Sequence, residues 1–180
     1  AVSALKRAVE LGKNPKDPKD PKNPKEDEVL DARFLLARTL LQAGHVAETL
    51  DVAEALAREK PDWKFSPTVA SIGVSAALSL CATSQDKPAA QVRLKKLVDF
   101  ILEKWPKLAE ADDARIAQGR LELELKQFDS ALKTFETVNP ASPRYPVAMH
   151  YAGQTHWRFY VEGKRKPDAG RQEKMLADHR

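Results

Sequence analysis

The sequence contains little cysteine, glycine or aromatic residue. Its single cysteine, Cys81, excludes an internal disulfide, and no CxxC or Cys/His pair near it indicates a metal site. Only 7 glycines and 7% aromatic residues occur in 180 residues, and no strand-like run rich in Val, Ile, Thr and Tyr is present. These absences favour an all-α fold in which helices pack through alanine and leucine. We interpret Cys81 as a small core residue.

Long apolar runs are also missing. Nothing approaches the ~18 to 20 uninterrupted apolar residues needed to cross a bilayer, because serines interrupt the most apolar stretch, 69–82. The first residues, AVSALKRAVE, lack the apolar centre of a signal peptide, and the chain starts without methionine inside a helical pattern. We therefore expect no membrane insertion and a soluble fragment of a larger protein, for which a cytoplasmic location is slightly favoured.

Motifs for catalysis are absent from the sequence. The four histidines form no HExxH pair, and neither a GxSxG motif nor a glycine-rich phosphate loop is present. Neighbouring acids such as Glu122 and Glu124 lie in charged runs that are typical of a solvated helix face. The sequence predicts no enzyme, no cofactor and no metal site.

The clearest feature that is present is a helical hairpin at 31–61. Apolar residues recur at helical spacing until Gly44, then again until Lys60 and Pro61, where proline forbids another turn. A hairpin of this size cannot bury both of its apolar faces, so it needs neighbours. The rest of the chain supplies further helical patterns, with predicted ranges 3–11 before a stop at Gly12, 66–84 with Ser66 as N-cap and Pro67 first, 87–105, 114–138, 145–160 ended by Gly163 and the basic run 164–167, and 168–180.

The segment 13–28 has a different composition. Prolines recur every third residue, each followed by lysine, and this period matches the three residues per turn of polyproline II. We predict a stiff, solvated loop in which no packed helix forms. It is either a low-complexity insertion between repeats, or a docking ligand or basic tether for a partner.

Two stretches share a spacing that resembles the tetratricopeptide repeat. In each stretch, a small residue of the first helix is followed 12 positions later by a residue at the start of the second helix. A third residue follows 16 positions after the small residue. These residues are Ala37, Thr49 and Ala53 in one stretch and Gly119, Ala131 and Phe135 in the other, with Gly153 as a third small residue. The turn glycine, the segment QFDSA at 127–131 and the terminal Pro61 also resemble the 34-residue unit of this family.

The resemblance implies antiparallel helix hairpins stacked in a right-handed superhelical solenoid. Residues 1–12 would be the second helix of a truncated preceding repeat, 13–28 a loop insertion, and 29–180 the repeats, with the last one truncated. The family's first helices line a concave groove that binds a peptide or a helix of a partner. The residues at its groove places here are Asp31, Phe34, Arg38, Leu41, Gln42, Asp113, Ile116, Arg120, Leu123, Glu124, Val147, His150, Gln154, Trp157 and Arg158.

Arg38 and Arg120 share one repeat place, which suggests that they hold a carboxylate of the partner by paired charge-assisted hydrogen bonds. Phe34 and Trp157 would then anchor apolar groups. In the alternative interpretation the arginines form ordinary surface ion pairs with neighbours such as Glu54 or Glu124, and these carry little energy.

The sequence therefore predicts a non-catalytic protein-interaction scaffold whose partner it does not identify. The alternative is a basic helical module that binds nucleic acid or another polyanion, through segments 13–25 and 158–166. A formal net charge of only +4, from 30 basic and 26 acidic residues, disfavours nucleic acid.

Overall fold

The computed structural model describes residues 2–13 and 25–165, and these ranges contain eight α-helices and no strand. The all-α prediction is thus confirmed. The helices are α1 (Val2–Lys13), α2 (Glu26–Gln42), α3 (Val46–Glu59), α4 (Ser66–Thr83), α5 (Lys87–Lys104), α6 (Ala109–Glu124), α7 (Phe128–Glu136) and α8 (Tyr145–Arg165).

The predicted hairpin is formed by α2 and α3. Gly44 has a φ of 78°, which an L-residue rarely adopts, and this conformation lets the amide of His45 donate to the carbonyl of Leu40 at 3.0 Å. The second helix ends one residue before Lys60 and Pro61, where the ring of the proline prevents a further turn. Both ends of the hairpin therefore follow from local chemistry.

Consecutive helices pack against one another along the whole described chain. In addition, α2 contacts α4, α4 contacts α6, and α6 contacts α8. The even-numbered helices therefore form one layer, and each odd-numbered helix packs on its even-numbered neighbours.

Three apolar clusters hold the described helices together, and the smallest of them joins α1 to α2 through Val9, Leu36 and Leu40. The N-terminal core extends from α2 to α6 and is built mainly of alanine, leucine and valine, with Leu50, Leu94 and Leu97 fully buried. Cys81 is partly buried against it, and burial raises the pKa of its thiol. The C-terminal core joins α6, α7 and α8, and Phe135 is its largest fully buried residue.

Glycines allow helices to approach closely at two places in these cores. A Cβ atom added at Gly119 would lie 2.5 Å from Cε1 of Phe135, and one added at Gly73 would lie 3.0 Å from Cδ2 of Leu97. At Gly153, by contrast, nothing lies within 4 Å of the added atom. The residues at 119 and 135, which share the repeat spacing, are therefore in direct contact.

Two predicted boundaries near the N-terminus were wrong. α1 does not stop at Gly12 but continues to Lys13, because the missing side chain of Gly12 leaves room for Val29 of α2. α2 begins at Glu26, inside the segment predicted as a loop, and the carboxylate of Glu28 accepts a hydrogen bond from the amide of Lys25 at 3.0 Å. The acids that end the proline-rich segment thus start a helix.

Other boundaries also differ from the prediction. Ser66 is not the N-cap of α4 but its first residue; Phe65 is the N-cap, and the buried Ser66 hydroxyl donates to the carbonyl of Lys60. α6 begins five residues before the predicted position 114, whereas α8 reaches Arg165, inside the segment 163–167 at which its end was predicted. The proline tract at 14–24 and the helix predicted at 168–180 lie outside the described residues.

One helix of the described ranges, α4, is long and apolar enough to span a membrane by length and composition alone. Of its 18-residue window, 44% is buried inside the fold. Helix α4 also packs against α3, α5 and α6, as expected for the core helix of a helical domain.

Candidate functional site

A groove opens on the layer of even-numbered helices, between α4, α6 and α8. Its volume is about 720 Å³, within the range of typical ligand sites. We call it the α4–α8 groove. Its lining residues are Ser71, Val74, Ser75, Leu78, Ser79, Ala82, Thr83, Asp113, Ile116, Ala117, Arg120, Arg144, Val147 and Tyr151.

The α4 wall of this groove consists of short side chains. Ser71, Ser75, Ser79 and Thr83 are spaced by four residues, so they share one helix face. Each of the last three hydroxyls donates to the main-chain carbonyl four residues earlier, at 3.1, 3.0 and 2.9 Å. The donors are therefore used within the helix, and the hydroxyl oxygens keep lone pairs that accept hydrogen bonds. A main chain can approach such a wall closely.

The opposite side of the groove carries an arginine held by an aromatic stack. The guanidinium carbon of Arg120 lies 5.0 Å from the ring centroid of Tyr151, and that ring stacks on Phe135 with centroids 5.9 Å apart. Among the described residues, no carboxylate lies within ion-pair distance of Arg120. Its charge is therefore oriented by the ring and is not neutralised by an acid.

The other two charged residues of the groove neutralise each other. The Nε of Arg144 lies 2.7 Å from a carboxylate oxygen of Asp113, and the Ser71 hydroxyl donates to the second oxygen at 3.2 Å. Burial raises the pKa of Asp113, and the charge of Arg144 only partly offsets this effect. The groove therefore carries one uncompensated positive charge, that of Arg120.

A second cavity of about 320 Å³ lies beside the C-terminal ends of α6 and α8, and we call it the α6–α8 pocket. Two ion pairs border it: Arg158 with Glu124 at 2.9 Å, and Lys126 with Glu162 at 2.6 Å. Trp157, which is 66% exposed, forms part of its rim. The lining residues are Leu123, Glu124, Lys126, Phe128, Trp157, Arg158, Val161 and Glu162.

The groove residues predicted on α6 and α8 divide between these two cavities. Asp113, Ile116, Arg120 and Val147 line the α4–α8 groove, although Ile116 is only 6% exposed and belongs mainly to the C-terminal core. Of the others, Leu123, Glu124, Trp157 and Arg158 line the α6–α8 pocket.

The residues predicted on α2 line neither cavity. Phe34 stacks on Phe65 with centroids 5.4 Å apart and contacts the edge of Trp63, so its ring belongs to an aromatic cluster and is not an open anchor. Leu41 packs against the N-terminal core, because it faces the neighbouring helices. The remaining α2 positions, Asp31, Arg38 and Gln42, are exposed.

The two arginines that share a repeat place are not brought to one cavity, since only Arg120 lines the α4–α8 groove. Among the described residues, Glu54 pairs with Arg58 and Arg93, and Glu124 pairs with Arg158, so neither of these acids forms an ion pair with Arg38 or Arg120. A shared role of the two arginines in binding a carboxylate stays a prediction.

The two remaining predicted residues, His150 and Gln154, lie one turn apart on α8. Their side-chain nitrogens are 2.9 Å apart in a hydrogen bond, and both residues are exposed. Neither residue lines either cavity.

Three parts of the groove lining were not predicted from the sequence: the α4 wall, Tyr151 and Arg144. The recurrence of hydroxyl residues at intervals of four in α4 was the available signal for the wall, since residues at this spacing share a face. No local pattern indicated Tyr151, because its role depends on Arg120 of another helix.

Within residues 2–13 and 25–165, no group of three or more His, Cys, Asp or Glu side chains is placed to hold a metal ion. The two cavities present one cation stacked on a ring, hydroxyl acceptors and apolar surface. Comparison with known protein families and with curated proteins gives no match for this chain.

Proposed function

We propose that this chain is a non-catalytic protein-interaction scaffold that binds an extended, acidic peptide of a partner protein in the α4–α8 groove. In this proposal its helices form a tetratricopeptide-like, right-handed solenoid, and the even-numbered helices line the concave side. The contacts between successive even-numbered helices support this arrangement. So does the contact between Gly119 and Phe135, which lie 16 positions apart as the repeat requires.

The observation that carries the proposal is the state of Arg120. An arginine that stacks on a ring, with no carboxylate of the described residues within ion-pair distance, can pair with a carboxylate of a partner, to which it donates two parallel hydrogen bonds. The hydroxyl acceptors of α4 face the same groove and suit the amides of a peptide main chain. An acidic residue in an extended peptide can pair with Arg120 through its carboxylate, while the main-chain amides of the peptide donate to the hydroxyl oxygens of α4.

The charges of the groove favour a peptide over nucleic acid. A phosphate backbone is bound by several cations along its track, but here Asp113 cancels Arg144 and leaves Arg120 alone. Many other basic residues of the described ranges are also engaged by acids, among them Arg33 with Glu59 and Arg93 with Asp51.

The test is a selection from a random peptide-display library with the complete chain as bait, followed by fluorescence anisotropy on individual peptides. We expect selected peptides to contain Asp or Glu, and Arg120→Gln to weaken them by about 10- to 100-fold, as loss of a charged hydrogen bond predicts. Arg38→Gln is the matched control, because this exposed arginine lies outside the groove and should leave affinity unchanged.

A single-stranded oligonucleotide of the same length is titrated in parallel at two salt concentrations. Oligonucleotide binding that falls steeply with salt, with no peptide selected, would support the polyanion alternative and overturn the scaffold proposal. Equal affinity of wild type and Arg120→Gln for the selected peptides would overturn the assignment of the groove.

A further inference from the structure

We propose that the α6–α8 pocket receives one neutral, apolar side chain of the same peptide whose acidic residue pairs with Arg120. This inference rests on the proposed function and adds a second specificity determinant to it. It assigns to Trp157 the role of closing over that side chain.

The surface of the pocket is suited to an apolar group. Leu123 and Phe128 of the C-terminal core line the cavity, although they are only 3% and 9% exposed, and Val161 adds apolar surface to it. The indole of Trp157 stands beside them and is largely exposed. Covering such a ring and filling a cavity of about 320 Å³ removes apolar surface from water, which is favourable.

The charges around the pocket favour a neutral guest. All four charged lining residues are engaged in ion pairs, Arg158 with Glu124 and Lys126 with Glu162. These pairs are exposed to solvent and individually weak, but a charged guest would have to compete with one of them for a partner. An aliphatic or aromatic side chain does not compete with them. The α6–α8 pocket thus complements the α4–α8 groove, which holds an unneutralised cation.

For a peptide that runs parallel to α6 and α8, the offset between the two cavities along these helices sets the spacing of the peptide motif. On α6, Glu124 follows Arg120 by four residues, or about 6 Å along the helix axis. On α8, Trp157 follows Tyr151 by six residues, or about 9 Å. An extended chain advances about 3.3 Å per residue. The apolar side chain therefore lies two or three positions from the acidic residue.

The experiment uses synthetic peptides with one glutamate and one leucine in a glycine/serine background. Leucine is placed one to five positions from the glutamate on either side, and alanine replaces it in the reference peptide. We expect the tightest binding at a separation of two or three, about tenfold tighter than the reference, which corresponds to about 1.4 kcal/mol. The binding-induced shift of the Trp157 indole N–H signal in ¹⁵N NMR should be largest for the same peptides.

Trp157→Ala should abolish the preference for leucine and keep the dependence on glutamate and on Arg120. Leu35→Ala, which removes another exposed apolar side chain far from either cavity, is the control and should change neither. Circular dichroism checks that each variant keeps its helices.

The outcomes separate the two proposals. If glutamate and Arg120 matter but the leucine position and Trp157 do not, the pocket inference is overturned and the groove proposal stands. If leucine binding persists after Arg120→Gln with unchanged affinity, the groove assignment fails and the pocket remains. If no peptide of the set binds the wild-type chain, both are overturned.

Discussion

The N-terminal and C-terminal cores are built differently. The first is a continuous cluster of aliphatic residues shared by α2 to α6, whereas the second is smaller and depends on the aromatic rings of Phe128 and Phe135. Exposed large apolar residues occur singly on α1, α2 and α5 and at the two ends of α6, but α8 carries three of them: Val147, Trp157 and Tyr160. Both proposed recognition cavities involve α8.

In the proposed function, the N-terminal core provides stability and the surface of α8 provides recognition. The N-terminal core fixes α4 and the start of α6 from several sides, so it provides a rigid wall for the groove. Helix α8, by contrast, packs mainly on α6 and α7 and keeps much of its surface open. A surface that is apolar and exposed at the same time costs stability, and it is maintained where a protein recognises a partner.

The largest expected effect comes from removing the centre of the smaller core. Phe135→Ala deletes a fully buried ring that supports both Gly119 and Tyr151, and we expect a loss of about 3–5 kcal/mol in the free energy of unfolding. Urea unfolding followed by circular dichroism measures the loss. In hydrogen exchange, α6 to α8 should lose protection while α3 to α5 retain it.

Leu97→Ala is the matched change in the larger core, since Leu97 is also fully buried. It should lower protection throughout α3 to α5 and cost about 2–5 kcal/mol. If either substitution lowers protection equally in all helices, the two cores unfold as one unit and the comparison between them is incorrect.

A smaller effect, with opposite signs at two sites, is expected for two glycines. Gly119→Ala places a Cβ atom against the buried ring of Phe135 and should destabilise the fold by about 1–3 kcal/mol. Gly153→Ala meets no neighbouring atom within 4 Å and should stabilise helix α8 by about 0.5–1 kcal/mol.

Thermal or urea unfolding of the two variants gives both values. The sign of the difference is the informative quantity, because both changes add the same methyl group to a helical glycine. A stabilising Gly119→Ala would show that α6 and α7 have room to separate, which contradicts the close contact between them.

Much of the secondary structure follows from local chemistry and could be predicted. Gly44 and Pro61 end the hairpin helices because their own backbone properties determine the turn. Gly12 was wrongly interpreted as a helix stop, since it lies inside α1, where Val29 of another helix occupies the space of its missing side chain.

The candidate site was predictable only in part. Counting repeat places selected Arg120 and Trp157, and the structure places each of them at the lining of a cavity. The same count selected Phe34, which lies instead in an aromatic cluster with Trp63 and Phe65 of the turn before α4. Whether a helix position faces a cavity depends on the neighbouring helices, and a single sequence does not contain that geometry.

The most direct test of the groove as a peptide-binding site is to map backbone amide shifts by NMR while titrating a selected acidic peptide into the complete ¹⁵N-labelled chain. If the peptide binds in the α4–α8 groove, the largest shifts will lie on α4, α6 and α8, around Ser75, Arg120 and Tyr151. Saturable shifts confined to α1, α3 and α5 would contradict it, because those helices do not line the groove.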